Sequence, residues 1–360
     1  MNTQKVRDSN IELLRIIAML AIIAHHYVVN STVFTLFDNT GPTAGSVFLQ
    51  LWGMWGKTAI NSFILISGYY LCTTRLTWQR YVKLLAEAYF YIILIKFIFV
   101  ATGYETMTLK LCVKELLFPF YNVGNGFTPS FLAFYAFVPI YNKLIHALTE
   151  REFRFFLFGV LFVISVCGTL FYANVFLEPL WYAVLYFTAS YIRLFPNKFT
   201  QSLSLSIVIF VVSVVMAVLS VLYNIFYSGN VPYLYVQDSH KILPFVVGTS
   251  AFLIAKNSRV FKSRVINTIS AGTFGVLLIH ANCASMRKWL WQDIIQVPLL
   301  YEGNASYSSY LPSGLYSLVI VSIATPVVVF GICTLIDYFR RIFLEKYYMK
   351  WIYTRWSDNK

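Results

Sequence analysis

Apolar runs of nearly bilayer-spanning length dominate the chain and restrict it to one broad fold class. A transmembrane helix needs about 20 mostly apolar residues. Ten stretches approach that length: 11–30, 54–72, 81–102, 130–148, 153–173, 178–195, 201–226, 240–256, 270–290 and 313–338. Only 12% of the residues are charged, against roughly 25% in a typical soluble domain. The sequence therefore predicts an all-α polytopic membrane protein with about ten transmembrane helices.

The basic residues are distributed unevenly between alternate loops, which predicts an orientation. With the N-terminus in the cytosol, twenty of the 28 Lys and Arg residues fall on the cytosolic side, five fall outside, and three lie within or at the edge of spans. Cytosolic loops are enriched in Lys and Arg, so both termini are expected in the cytosol and the protein in the plasma (inner) membrane. The net charge of +13 then reflects topology and contact with anionic lipids rather than nucleic-acid binding.

The chain has no tandem repeat, low-complexity linker or inverted pair of broken helices that would divide it. We therefore expect one transmembrane domain over 1–345 and a basic cytosolic tail over 346–360. The first apolar run has no small-residue cleavage site after it, which favours a retained span over a signal peptide. The five cysteines show no metal or redox spacing, so no metal site is predicted; they are Cys72, Cys112, Cys167, Cys283 and Cys333.

The first span, RIIAMLAIIAHH over 15–26, has ionisable groups at both ends. Arg15 and His26 are eleven residues apart, roughly 1,100° of helical rotation, so they share one face about 16 Å apart along the axis. His25 points about 100° away. Arginine suits bidentate binding of phosphate, and histidine can act as a general base near neutral pH. The alternative is that Arg15 anchors the helix at the headgroups and His26 is a packing histidine.

Other ionisable groups within the predicted spans carry weaker signals. Glu87 and Lys96 are nine residues apart in the third span and face opposite ways, so Glu87 should pair with a cation elsewhere. His280 lies in the ninth span, and Arg287 lies seven residues later, about 20° from the same face. Considered alone, this pair is more simply a packing histidine and an arginine at the outer interface.

The second span contains NSFILISGYY, a segment with small and polar residues inside an apolar run. Small residues let transmembrane helices approach closely, and polar ones supply hydrogen bonds between helices. We expect Asn61, Ser67, Gly68 and Tyr69 to form a structural motif of this kind.

Together these segments resemble the integral-membrane acyltransferase-3 family, whose members transfer acyl groups, commonly acetyl, to extracytoplasmic carbohydrate. The similarity extends over about residues 8–345. The segments that carry it are Arg15 with His26 and the preceding Glu12-Leu13-Leu14, AINSFILISGYYL (59–71), LYFTASYIRLF (185–195), LPFVVGTSAFLIAKN (243–257) and ISAGTFGVLLIHAN (269–282). The chain departs from the family at 124–139, which lacks a tryptophan, and at Leu277, where the family has tyrosine.

The resemblance implies an O-acyltransferase, most simply an O-acetyltransferase, with cytosolic acetyl-CoA as donor substrate and no permanently bound cofactor. The acceptor would be a hydroxyl of a surface polysaccharide or lipid-linked glycan. His26 would be the general base, or would form an acyl-histidine, while His280 would hold the sugar or assist proton movement. Glu178 is a candidate for orienting His26. The donor phosphates would be held by Arg15 with some of Arg75, Arg80, Lys83 and Arg193.

Two other classes of function remain open at this level. A transporter or flippase of lipid-linked glycans would have a similar number of spans, and its arginine clusters could bind pyrophosphate. A non-catalytic sensor would tolerate substitution of both His26 and His280. The acceptor sugar, the choice of acyl group and the oligomeric state are not encoded in any motif of the sequence.

Overall fold

The computed structural model describes residues 8–117, 123–124, 126–171, 177–228, 231–305 and 312–357. Within these ranges the chain is helical and contains no β-strand, which confirms the all-α prediction. The helices are α1 (Ser9–Val29), α2 (Phe34–Thr40), α3 (Ala44–Gly53), α4 (Gly56–Leu71), α5 (Trp78–Ala101), α6 (Leu109–Leu116), α7 (Phe127–Ala147), α8 (Glu150–Leu161), α9 (Gly168–Leu170), α10 (Glu178–Leu194), α11 (Lys198–Gln201), α12 (Leu203–Tyr223), α13 (Ile242–Asn257), α14 (Arg264–Ser270), α15 (Thr273–His280), α16 (Ala284–Lys288), α17 (Val297–Ala305), α18 (Pro312–Phe339) and α19 (Glu345–Ser357). Short π-helical turns occupy Phe162–Cys167, Asn224–Ser228, Trp289–Ile294 and Arg340–Leu344.

Several of these helices are long and apolar enough to cross a bilayer. By length and composition, five qualify among the described residues, and a bent pair would add a sixth. Each of the ten stretches predicted from the sequence overlaps a helix, but α4, α10 and α13 have only 16 or 17 residues. The chain is thus an all-helical, multi-pass membrane protein, whereas the count of ten spans and the side of each terminus stay predictions.

The ninth predicted span is not one continuous helix. Helix α15 ends at His280, and the helical segments on either side of the break are bent by 90°. The break leaves the carbonyl of Ala281 without the partner that a continued helix would supply, and Arg287 Nη1 donates to it at 2.5 Å. His280 and Arg287 therefore do not share a face of one helix.

Helix α1 lies at the centre of the bundle, in contact with α3, α4, α13, α14, α15 and α18. Helix α4 packs against α1, α10 and α13. Most residues of α10 are buried, as expected for a helix enclosed by others. Helix α12 packs on α13, and its side chains at Val211, Val212 and Val215 are exposed, as on a lipid-facing surface. The first helix is thus in contact with six others, while Leu13 and Ile17 on one of its faces are exposed.

Small and polar residues of α4 hold this part of the bundle together. A Cβ at Gly68 would lie 3.1 Å from Tyr186 Cα, and one at Gly248 would lie 2.9 Å from Asn61 Cβ. Asn61 is fully buried; its Nδ2 donates to the Ser239 carbonyl at 2.7 Å, and its Oδ1 accepts from Trp181 Nε1 at 2.9 Å. These contacts bind α4 to α10 and to the segment before α13, in the way that polar groups join transmembrane helices.

A buried charged cluster joins α5 to the end of α18. Arg340 Nη2 lies 2.9 Å from both Glu87 Oε1 and Asp337 Oδ1, and Tyr91 donates to Asp337 at 2.9 Å. A Cβ at Gly275 would lie 2.2 Å from Asp337 Oδ1, so the glycine provides the space for this carboxylate. Glu87 therefore pairs with a distant cation, as predicted from its position in the third span.

Candidate active site

The two ends of α1 face the same neighbouring segment, which carries α14 and α15. At one end Arg15 Nη1 lies 3.1 Å from Glu12 Oε2, and the Ser270 hydroxyl donates to the same carboxylate. At the other end His26 Nδ1 lies 3.1 Å from His280 Nε2. Arg15 and His26 therefore lie on one side of α1, separated by about 16 Å of helix.

The contact between His26 and His280 joins residues 254 positions apart in the chain. The ring centroids are 5.3 Å apart, with the planes tilted by 49°. His280 is 1% exposed, and its ring also packs edge-on against Trp291. The two histidines that the sequence identified separately thus form one pair in the structure.

The hydrogen bonds of the pair determine which ring nitrogens carry protons. His280 Nδ1 lies 2.6 Å from the Val276 carbonyl, and a carbonyl can only accept, so this nitrogen must be the N–H. In a neutral ring His280 Nε2 is then an acceptor. His26 Nδ1 must therefore donate to it, which leaves His26 Nε2 with its lone pair, the form needed for a general base.

A cavity of about 550 Å³ borders His26. Its walls come from the end of α1, from α5, α6 and the start of α7, and from the bent segment after His280. They include apolar side chains such as Phe127 and Leu277 together with polar ones such as Asn30 and Asn282. A mixed lining with a few converging polar groups is typical of a small-molecule site.

The charged groups of this cavity are partly paired. Lys96 Nζ lies 2.7 Å from Glu105 Oε1 and 3.4 Å from Glu115 Oε1, and the Ser285 hydroxyl donates to Glu105 at 2.8 Å. Arg287 also lines the cavity, and in the described part of the chain no carboxylate lies within ion-pair distance of it. A half-buried guanidinium is therefore presented to the cavity beside the histidine pair.

His25 has a different environment from its neighbour. Its Nδ1 lies 2.6 Å from the Gly53 carbonyl, and a Cβ at Gly56 would lie 2.3 Å from the His25 ring. The ring is therefore packed tightly between α3 and α4, although its edge reaches the same cavity.

Glu178, proposed from the sequence to orient His26, lies elsewhere. Its carboxylate is 3.9 Å from Lys57 Nζ and accepts from the Tyr182 hydroxyl at 3.4 Å. Because His26 Nδ1 is in contact with His280, an imidazole rather than a carboxylate occupies the orienting position.

The residues predicted to bind the donor phosphates lie at the Arg15 end of the bundle, in different local settings. Arg193 is exposed, with its guanidinium 4.4 Å from the centre of the Tyr69 ring, a favourable cation–π geometry. Lys83 is half exposed and forms an ion pair with Glu345. Arg75 and Arg80 are exposed at the end of α4 and the start of α5. Tyr69 is thus directly in contact with a predicted donor-binding residue.

Sequence reasoning missed two groups of residues that the structure places near these sites. The cavity cluster of Lys96, Glu105 and Glu115 forms because Gly103, at φ +73°, turns the chain back after α5. Asp337 was missed although it is a carboxylate within the tenth predicted span, and such residues are usually functional or paired. The spacing of Asp337 and Arg340, three apart, was the available signal for that ion pair.

Comparison with known families assigns the chain to a class. A family model described as an acyltransferase domain matches residues 8–337, nearly the whole chain, so the protein belongs to the acyltransferase-3 family. This confirms the resemblance inferred from the motifs, and it supports acyltransferase activity. Neither the curated proteins nor the solved structures gave a match to this chain.

Proposed function

We propose that the protein is a membrane O-acetyltransferase that moves an acetyl group from cytosolic acetyl-CoA to a hydroxyl of an extracytoplasmic cell-surface glycan. The observation that carries the proposal is the contact between His26 and His280, at the wall of a cavity lined by both polar and apolar side chains. Membership of the acyltransferase family supports an enzyme over a flippase or a sensor.

In the proposed reaction, His26 Nε2 takes the proton of the sugar hydroxyl while the hydroxyl oxygen attacks the thioester carbonyl carbon. The resulting tetrahedral intermediate collapses, the C–S bond breaks, and the imidazolium returns the proton to the CoA sulfur. The products are the sugar ester and free CoA. His280 acts as a positioning residue, since its Nε2 accepts from His26 Nδ1–H and keeps the basic nitrogen available.

The electrostatics of the cavity are consistent with this chemistry. Arg287 presents a cation in the cavity that His26 borders, and preorganised donors stabilise the negative charge that develops on a carbonyl oxygen during acyl transfer. The glycan would occupy the same cavity, where Glu105, Glu115 and Asn282 offer hydrogen-bonding groups for hydroxyls.

The donor would enter from the Arg15 end. Its phosphates would be held by Arg15 with Arg75, Arg80, Lys83 and Arg193, and its pantetheine arm would extend along α1 toward His26. Arg15 is paired with Glu12, so its guanidinium is already oriented. The planar guanidinium suits bidentate binding of phosphate.

Mass spectrometry of the surface polysaccharide tests the proposal. Cells that lack the gene, complemented with wild-type protein, His26→Ala or His146→Ala, should carry glycan acetyl esters only with the wild type and His146→Ala. His146 is a matched control because it is an exposed histidine that contacts the Cys72 carbonyl, away from the cavity. Equal acetylation with His26→Ala would overturn the role of His26, and no change on deletion would overturn the function.

A further inference from the structure

A second cavity, also about 550 Å³, lies against a different face of α1. It is a groove between α1, α4, α12 and α13, lined mainly by aliphatic side chains such as Leu14, Ala18, Val247 and Ala251. At about 100° per residue, the mean direction of the groove-lining residues of α1 is roughly 140° around the helix from Arg15 and His26. The groove is therefore separate from the candidate active site.

The groove has the length of one bilayer leaflet. Its lining on α1 extends from Asn10 to Ala21, eleven residues or about 16 Å, and this is half of the ~30 Å hydrocarbon core. Leu13 and Ile17, which also line it, are 37% and 53% exposed. The groove is thus open along its length to the outside of the bundle, where lipid chains surround a membrane protein.

One end of the groove is cationic. Arg259 lines it there, and Lys262 and Arg264 follow as exposed residues. Over the described ranges, no carboxylate lies within ion-pair distance of these three residues. Each basic residue near a membrane surface attracts anionic lipid by about 1 kcal/mol.

The combination of apolar walls and a cationic end restricts the occupant. Hydrocarbon walls give little preference over surrounding lipid, so any selectivity must come from the headgroup. The pantetheine arm of CoA fits poorly, because its amide groups would lie against aliphatic side chains such as Ala18 and Val247, and an unpaired buried amide is costly.

We propose that this groove is a binding site for one anionic phospholipid, with an acyl chain between α1 and α13 and the phosphate at Arg259. The site does not depend on the proposed acetyltransferase function. Because the groove lies on the helix that carries His26, an occupied groove would brace α1 from the side opposite the histidine pair.

Lipid binding to the full-length protein tests this proposal. The purified protein is delipidated, returned to phosphatidylglycerol or phosphatidylcholine, and measured by native mass spectrometry and thermal unfolding. We expect one phosphatidylglycerol per protein to be retained, with a higher Tm than in phosphatidylcholine. Equal retention of the two lipids, or displacement of phosphatidylglycerol by CoA, would overturn it.

Two variants separate the acyl-chain contact from the headgroup contact. Ala251→Phe fills the groove and should abolish retention of the lipid, whereas Arg259→Gln should weaken phosphatidylglycerol about fivefold without changing phosphatidylcholine. Arg154→Gln, an exposed cation on α8 away from the groove, is the control and should behave as wild type. Should Ala251→Phe fail to fold, Arg259→Gln decides alone: unchanged phosphatidylglycerol binding refutes the site.

Discussion

The two ends of α1 present one face to the same neighbouring segment but differ in chemistry. At the Arg15 end, the Glu12 carboxylate pairs with the guanidinium, and the Ser270 hydroxyl donates to that carboxylate. At the His26 end the partner is a second imidazole, and a cavity borders His26. The partly buried cation of Arg15 is thus held by a residue of its own helix, whereas the basic nitrogen of His26 depends on a partner far away in the sequence.

The largest effect is expected at the His26 end. His26→Ala removes the proposed base and should lower kcat by about 10²–10⁴-fold, measured as transfer of labelled acetyl to glycan by purified protein. His146→Ala serves as the control and should keep full activity. If His25→Ala instead abolished activity and His26→Ala did not, the general base would be His25 and not His26.

A smaller loss is expected when the partner histidine is changed. His280→Gln retains an oxygen that can accept from His26 Nδ1–H, whereas His280→Ala retains none. We expect His280→Ala to lower kcat on the order of tenfold or more, and His280→Gln to recover part of that loss without a change in KM for acetyl-CoA. Equal losses for the two variants would indicate that His280 acts only by packing.

Removing the cation at the other end of α1 should affect donor binding. Arg15→Ala should raise KM for acetyl-CoA on the order of tenfold, since a hydrogen bond to a charged group contributes about 1.5–3 kcal/mol, with a smaller change in kcat. Arg154→Gln provides the matched loss of one positive charge. An unchanged KM with Arg15→Ala would show that this end of α1 is purely structural.

Substitution of Arg287 tests whether the cavity binds the glycan rather than the donor. Arg287→Gln should lower kcat/KM for the glycan several-fold, because it removes the cavity cation that has no carboxylate partner within the described structure. KM for acetyl-CoA should stay unchanged. A rise in KM for acetyl-CoA alone would place the donor phosphates in this cavity and reverse the proposed direction of transfer.

The smallest effect is expected in the helix-packing motif. Asn61→Ala leaves Trp181 Nε1 without its acceptor and should reduce the stability of the bundle by about 1 kcal/mol, measured by thermal unfolding in detergent. The activity of the folded fraction should remain near that of wild type. Loss of activity at full stability would instead assign Asn61 a role in the reaction.

The local features of α1 were predictable because helical geometry alone determines them. An eleven-residue spacing puts Arg15 and His26 on one face in any straight helix. In the structure both ends of that face meet the segment that carries α14 and α15. The opposite faces of Glu87 and Lys96 were predictable for the same reason, and the structure gives the two residues separate partners.

The long-range features were not predictable because periodicity carries no information about contacts between distant helices. Nothing in the spacing of His26 and His280 indicates that their rings meet, and the choice of Glu178 as the orienting group was wrong for this reason. The break after His280 was also missed, because a straight helix and a bent one can have the same apolar sequence pattern.

Transfer of label across a sealed membrane tests whether an acetyl group passes along α1 from a donor on one side to a glycan on the other. Proteoliposomes with a known orientation receive [¹⁴C]acetyl-CoA on the side of the protein's N-terminus and surface glycan on the other. We predict alkali-labile label on the glycan with wild-type protein and His146→Ala, and none with His26→Ala. Label that persists with His26→Ala, or that appears only when donor and glycan share one side, would contradict a passage along α1 that ends at His26.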